Sequence, residues 1–373
     1  MVDEASSEIA RFDGEALGST TAFAALLLRA EAASSSQIEE LTSSAKAIAL
    51  AELGRKGREN ADAIVGNVTA MISAMDVSAR IDAAAILAMH GALMAGRRTD
   101  AGQWRTVQVW IGGSRASPHD ADYVAPRYER VPAVMDDLVA FIGREDLTPL
   151  AQAAVAHAQF ENIHPFTDGN GRTGRALLHA MLRRGGLARR SIVPVSAGLL
   201  SDTPAYFSAL EQFRGGDPVG IVEEVARAVF PALANSRRLI EEITEARNQW
   251  STSIKARRGA AAWRLADLLM TRPAVDSRFV SASLGVTGAN AQLAINRLVD
   301  DGILTQIGNG RRDRVWQAGE VLEAMERFAS RSQRRTPRRD PSLRSGSSSG
   351  NRFDDRTMGI APTGSALDLF SDV

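Results

Sequence analysis

The stretch HPFTDGNGRTGR, His164 to Arg175, decides how the chain is read. It holds one histidine, one acid, three glycines and two arginines in twelve residues. Gly169 and Gly171 flank Asn170 just before a predicted helix. Without side chains, such a loop can turn consecutive backbone N–H groups into one concavity. A helix start adds unpaired N–H groups and partial positive charge, so the place suits an anion. Arg172 and Arg175 bring forked donors matched to phosphate oxygens, on neighbouring turns of one helical face. These features predict a cradle for more than one phosphate, without the GK[ST] of a P-loop. Asp168 fits if a hard cation bridges it to the phosphates, as magnesium does with one or two carboxylates and substrate oxygens. His164 stands at the mouth, where a neutral imidazole takes a proton from an attacking hydroxyl, an effect of about 10²–10⁴-fold. The residues alone point to transfer of a phosphorus-centred group from a magnesium nucleotide to a hydroxyl. The competing reading is a glycine-rich helix connection with a solvated charged face.

Outward from this stretch, TPLAQAAVAHAQFEN (148–162) predicts the helix before it, and RTGRALLHAMLRR resumes a helix near Arg172. PAVMDDLVAFIG (132–143) is amphipathic, with Pro132 suited to a first helical turn. Residues 105–128 differ: TVQVWI alternates, Gly112-Gly113 is turn chemistry and YVAPRY is extended, so a β-hairpin flap is expected. Residues 1–18 read as loosely ordered, Thr20 to Met94 as several helices, and 203–213, 218–234 and 235–257 as further helices. From Gly259 onward the order is helix, then helix–turn–helix with Gly285 in the turn, then two strands around Gly-Asn-Gly. That order predicts a winged helix-turn-helix. After Ser330 the chain is basic and poor in apolar residues, and 331–373 is expected to be disordered.

At about 150 residues per domain, 373 residues predict two or three domains. Formal net charge is zero, so no global field favours nucleic acid or membrane. There are no cysteines, which excludes disulfides, thiolate metal sites and cysteine nucleophiles. The acidic N-terminus is not expected to act as a signal peptide, and no apolar run approaches the roughly 18 residues of a membrane span. A cytoplasmic protein is expected.

The motif residues His164, Pro165, Phe166, Gly169, Asn170, Gly171, Arg172 and Arg175 match every fixed position of HPFxxGNGRxxR, the signature of the Fic family, and Asp168 is an acid where the family has one. HAQFENIHPF and WIGGS…YVAPRYERVPAVMDDLVAFI also resemble that family's core helix and flap. The resemblance implies a mainly α fold. It divides the chain into an N-terminal helical region (1–104), a Fic core (105–234), a linker helix (235–258), a winged helix-turn-helix (259–330) and the tail (331–373). It implies a protein adenylyltransferase that moves AMP from ATP to a Ser, Thr or Tyr hydroxyl of a target protein, or of itself. His164 is then the general base and Asp168 the Mg²⁺ ligand. Phe166, Thr167, Gly169, Asn170, Gly171 and Arg172 contact the nucleotide, Arg175 grips the γ-phosphate, and Tyr206 lies in the adenine pocket. The flap, Val107 to Tyr123, clamps the target by strand addition.

EAASSSQIEE, Glu31 to Glu40, resembles the family's inhibitory helix, [S/T]xxxE[G/N], with Ser35 and Glu39 matching and Glu40 departing. In that reading Glu39 pairs with Arg175 and blocks the γ-phosphate. If Glu39 instead positions water, the same site removes AMP from a modified target. Ser36-x-x-Glu39 also spells a capping box that starts a helix. His157 is expected to be a core histidine, and no zinc site is expected from His90, His119 and His179. The alternative functions are a DNA-binding regulator with a Fic sensor core, or transfer of another nucleotide or phosphoryl group. DNA contacts would come from Asn290, Gln292, Asn296 and Arg297, with Arg311, Arg312 and Arg314 on the wing and the tail arginines from Arg331 to Arg339. A homodimer is the remaining partner expectation.

Overall fold

The computed structural model describes residues 1–15, 21–55, 59–112, 117–310, 312–333 and 359–360. The helices before the flap are α1 (Val2–Glu15), α2 (Thr21–Ile38), α3 (Ala45–Glu52), α4 (Glu59–Asp76) and α5 (Ala83–Met94). The flap strands are β1 (Val109–Ile111) and β2 (Tyr123–Val124), antiparallel, with Trp110 opposite Val124 and Ile111 opposite Tyr123. Then come α6 (Val131–Ile142), α7 (Pro149–Ile163), α8 (Asn170–Arg184), α9 (Val195–Leu200), α10 (Thr203–Arg214) and α11 (Val219–Ser253). The C-terminal part runs α12 (Ala261–Leu269), β3 (Ala274–Asp276), α13 (Ser277–Leu284), α14 (Gly288–Asp300), β4 (Thr305–Ile307), β5 (Val315–Gln317) and α15 (Gly319–Ser332). Its sheet has the order β3-β5-β4, all antiparallel. A last short strand, β6 (Gly359–Ile360), pairs with the other edge of β1.

The fold is mainly helical, built around the α7–α8 hairpin. Ala153, Ala154, Ala156 and Ala158 leave α7 no bulky side chain at these buried positions, and Leu177, Leu178 and Leu182 of α8 fill the space beside it. α4 and α2 pack against α8, and α10 and α11 against α7. Side-chain caps fix several helix starts: Ser44 for α3, Asp82 for α5, Asp202 for α10, Asp276 for α13 and Thr287 for α14. No helix among the described residues is long and apolar enough to cross a membrane.

Three expectations change. Residues 2–15 are not loose but form α1. Ala5, Ile9 and Phe12 make a buried stripe, and Asp13 accepts hydrogen bonds from the backbone of Arg190 and Ser191. The expected helices 218–234 and 235–257 are one helix, α11, which passes through Pro231. The buried positions Ile221, Val225, Val229, Ala232, Ser236, Leu239 and Ile243 keep one helical period across the proline, and that continuous stripe outweighs the single lost hydrogen bond. Finally, helix α15 carries order past residue 330 to Ser332, where Arg331 reaches Asn235 and Glu242. The rest of the expected tail, apart from 359–360, lies outside the described residues, as do Arg311 and flap residues 113–116.

Candidate active site

Helix α7 ends at His164, whose backbone is left-handed (φ 49°) and whose N–H closes on the Phe160 carbonyl. The turn lifts the imidazole out of the helix line. The ring Nδ1 lies 3.3 Å from the Glu161 carbonyl, which only accepts, so Nδ1 carries the proton and Nε2 keeps its lone pair. Nε2 is buried with no hydrogen-bond partner among the described residues. Burial lowers the His164 pKa to about 4, so the ring is neutral at pH 7.

The loop after His164 is fixed from within and from below. The Asn170 amide makes two hydrogen bonds to the Phe166 backbone, both 2.9 Å, so it is spent on shaping the turn. Phe166 is fully buried and stacks on His90 at 3.6 Å. His90 accepts from the Gly102 N–H and so donates from Nε2 to the Asp168 carbonyl. Thr167 donates to Asp100. Gly169 takes φ 78°, and a Cβ there would strike Met94 and Leu93 of α5. Helix α8 begins at Asn170, two residues earlier than expected.

At that helix start stands Glu39. A Cβ on Gly171 would lie 1.8 Å from its Oε1, so the carboxylate rests directly on the glycine. Arg175 Nη2 donates to Glu39 Oε1 at 2.6 Å and to the Ser35 carbonyl at 2.8 Å, and its Nε donates to Ser35 Oγ at 2.8 Å. Burial on its own would lower the Arg175 pKa. Glu39, with Tyr206 and Glu161 nearby, reverses this and holds it above the ordinary value. One turn further along, Glu31 of α2 meets His179 of α8 at 2.7 Å, so two polar pairs register the helices. Ser35 and Ser36 lie in the last turns of α2, and Ser36 Oγ bonds back to the Ala32 carbonyl. Ser36-x-x-Glu39 is therefore a helix end and not a capping box.

A cavity of about 50 Å³ is lined by Glu39, Glu161, His164, Asn170, Gly171, Arg175, Tyr206 and Arg214 among others. Tyr206 is buried in its wall, bonded through its hydroxyl to His157 Nε2 at 2.8 Å. His157 is a core histidine, as expected. Asp168 and Arg172 pair with each other at 3.2 Å and do not line this cavity. Asp168 lines a separate open groove with Glu59, Asp62, Arg97 and Arg98. Among the described residues no three His, Cys, Asp or Glu side chains group to hold a metal ion.

Sequence reasoning missed His90, Asp100, Arg105, Glu161 and Arg214. Glu161 sits three residues before the motif, and burial raises its pKa to about 7. In the C-terminal part, Arg297 pairs with Asp301, Arg314 lies over Trp316, and the exposed positions of α14 include Asn290, Leu293, Asn296 and Val299.

An imidazole nitrogen with no hydrogen-bond partner among the described residues thus stands near a helix start and a buried arginine, in a helical core beside a two-stranded flap. Residues 80–182 match the model of the Fic/DOC family. The protein adenylyltransferase fic-1 of Caenorhabditis elegans is 33% identical over 146 residues, covering 38% of this chain and 26% of that protein. The protein adenylyltransferase Fic of Nematostella vectensis is 33% identical over 131 residues, covering 34% of this chain and 27% of that protein. The chain thus spans about a quarter of the length of these curated relatives. A Fic family protein from Desulfovibrio desulfuricans G20 shares the fold, with a TM-score of 0.52 at 21% identity over 85% of this chain and 95% of that one.

Proposed function

We propose that the chain is a protein adenylyltransferase held closed by its own Glu39. The observation that carries this reading is the pairing of His164 Nε2, buried and unprotonated, with a helix-start cradle whose arginine is taken by a carboxylate. In the open state ATP takes the place of that carboxylate. An acceptor hydroxyl oxygen attacks the α-phosphorus and forms the new P–O bond. The bond to the β-phosphate bridging oxygen breaks and pyrophosphate leaves, while the hydroxyl proton passes to His164 Nε2. The amides of the α8 start and Arg175 hold phosphate charge. Asp168 suits magnesium carried on the nucleotide: its side chain is 42% exposed, and one carboxylate is enough where phosphates supply the other oxygens. Magnesium would neutralise phosphate charge there.

The flap supplies the acceptor. Its β1 edge takes an extended strand, as the pairing with Gly359–Ile360 of the same chain illustrates, and strand addition reads little side-chain identity. We read 259–330 as the winged helix-turn-helix and 105–234 as the catalytic unit. The test is to incubate wild type, Glu39→Gly and Glu39→Gly/His164→Ala with Mg²⁺ and each NTP labelled at the α-phosphate. Label from ATP, raised by Glu39→Gly and lost with His164→Ala, is expected. Label only from another nucleotide, or label that survives loss of His164, would overturn the reading.

A further inference from the structure

Arg105 precedes the flap and is 3% exposed, with no carboxylate in any hydrogen bond to it among the described residues. Burial lowers its pKa to about 10, against the pull of Tyr123 and Glu129. A buried cation without an acidic partner is costly unless its donors are satisfied. Arg105 spends them on three carbonyls from three segments. Nε donates to His164 at 2.8 Å, Nη1 to Val107 at 3.0 Å and Nη2 to Pro126 at 2.5 Å. Its own backbone N–H donates to the Pro165 carbonyl at 2.9 Å. Val107 precedes β1 and Pro126 follows β2, so these are the two roots of the flap. His164 and Pro165 are the turn that presents the imidazole, and His164 is one of three described non-glycine residues with positive φ.

We propose that Arg105 is a positioning residue that sets the height of the flap above His164, so that a strand docked on β1 delivers its hydroxyl to Nε2. The inference rests on the adenylyltransferase reading. One rigid, planar fork ties the base's backbone to both flap arms, and only a guanidinium offers donors in that geometry; a lysine ammonium is a point charge on a flexible stem. The nucleotide cradle hangs on different supports, namely His90, Asp100 and the Asn170–Phe166 pair. Loss of Arg105 therefore acts on the acceptor and spares ATP.

The experiment uses full-length Glu39→Gly as the enzyme, the purified His164→Ala chain as acceptor and α-labelled ATP. In Arg105→Gln the KM for the acceptor is expected to rise about tenfold or more while that for ATP stays within about twofold, with Arg105→Lys in between. Amide exchange at Val109–Ile111 should quicken while that of α8 stays put. An unmoved acceptor KM overturns the proposal, and so does a joint rise of both KM values with a fall in thermal midpoint, the mark of a purely structural role. Should Arg105→Gln not fold, Arg105→Lys carries the same comparison. If Glu39→Gly labels no acceptor, the adenylyltransferase reading fails, and exchange at β1 then decides Arg105: no change sinks it.

Discussion

The loop before α8 and the end of α2 both take left-handed backbone, and they use different residues for it. The start of α8 puts glycine there: Gly169, at φ 78°, caps it without strain, although His164, at φ 49°, is left-handed where α7 ends. The closing helix does not. Its end is a double hydrogen-bonded cap, with the Leu41 N–H on the Ser36 carbonyl and the Glu40 N–H on the Gln37 carbonyl, and its left-handed residue is Glu40 at φ 58°. Glycine or asparagine is favoured at that position. Both acids at this helix end, Glu39 and Glu40, also meet the negative pole of α2, while the α8 start opposite is positive. The α8 start thus carries glycine at its left-handed position, whereas the end of α2 carries Glu40 there, next to the Glu39 that meets Arg175.

The largest expected effect tests the cradle side. Adding His164→Ala to Glu39→Gly should cut transfer of α-labelled AMP by about 10²–10⁴-fold, since only base catalysis is lost. A smaller loss would mean that the free Nε2 is not the proton acceptor, and the contrast between the α8 start and the end of α2 would have no catalytic content.

The two sides also differ in how they carry charge. Beside the cradle, burial shifts four groups toward their neutral forms: it lowers His90 and His164 to about 4 and His157 to about 3, and raises Glu161 to about 7. On the other side, Glu39 holds the Arg175 pKa above its ordinary value. Below the ordinary histidine value of 6.5, unfolding lets three imidazoles take up protons, so their contribution is present above pH 6.5 and fades as pH falls toward 4. Glu161 opposes this, because its contribution is present below pH 4.5 and lost as pH rises through 7. The net uptake near pH 5.5 is about two protons, a loss of roughly 3 kcal/mol per pH unit. Urea midpoints at pH 7 and 5.5 measure it, and Glu161→Gln should steepen the fall. A midpoint that does not move would show these side chains to be solvated.

Next in size, Glu39→Gly should raise transfer about a hundredfold, for which the brake must supply about 2.7 kcal/mol, within reach of one buried charge pair. Equal activity in wild type and variant would remove the brake from the comparison.

The cradle half of this contrast was legible in sequence because its chemistry is local: a turn, a helix start and two arginines within twelve residues. Glu39 was expected beside Arg175 from the resemblance of Ser35 and Glu39 to the family's helix pattern, and the two side chains meet at 2.6 Å. What was not legible is the support. His90 reaches the loop from 78 residues away and Arg105 reaches His164 from 59, and no local pattern encodes such pairings. The capping-box ambiguity had the same origin, since Ser36 and Glu39 spell a helix start unless the apolar run before them has already begun the helix. Pro231 misled for the converse reason: a local breaker was overridden by a buried stripe that only packing reveals.

The smallest effect bears most directly on the contrast. Replacing Glu40 by glycine removes a Cβ from a left-handed position, a relief of about 1 kcal/mol, and takes one negative charge from the end of α2. Both changes favour the intact helix end that holds Glu39 on Arg175. Glu40→Gly should therefore lower basal transfer about fivefold and raise the thermal midpoint, the opposite of Glu39→Gly one residue earlier. The double variant should behave like Glu39→Gly, because a better cap has nothing to hold in place once the carboxylate is gone. If Glu40→Gly raised transfer instead, the side chain of Glu40 would itself belong to the lock, and the departure at this position would be a second latch in place of a strain.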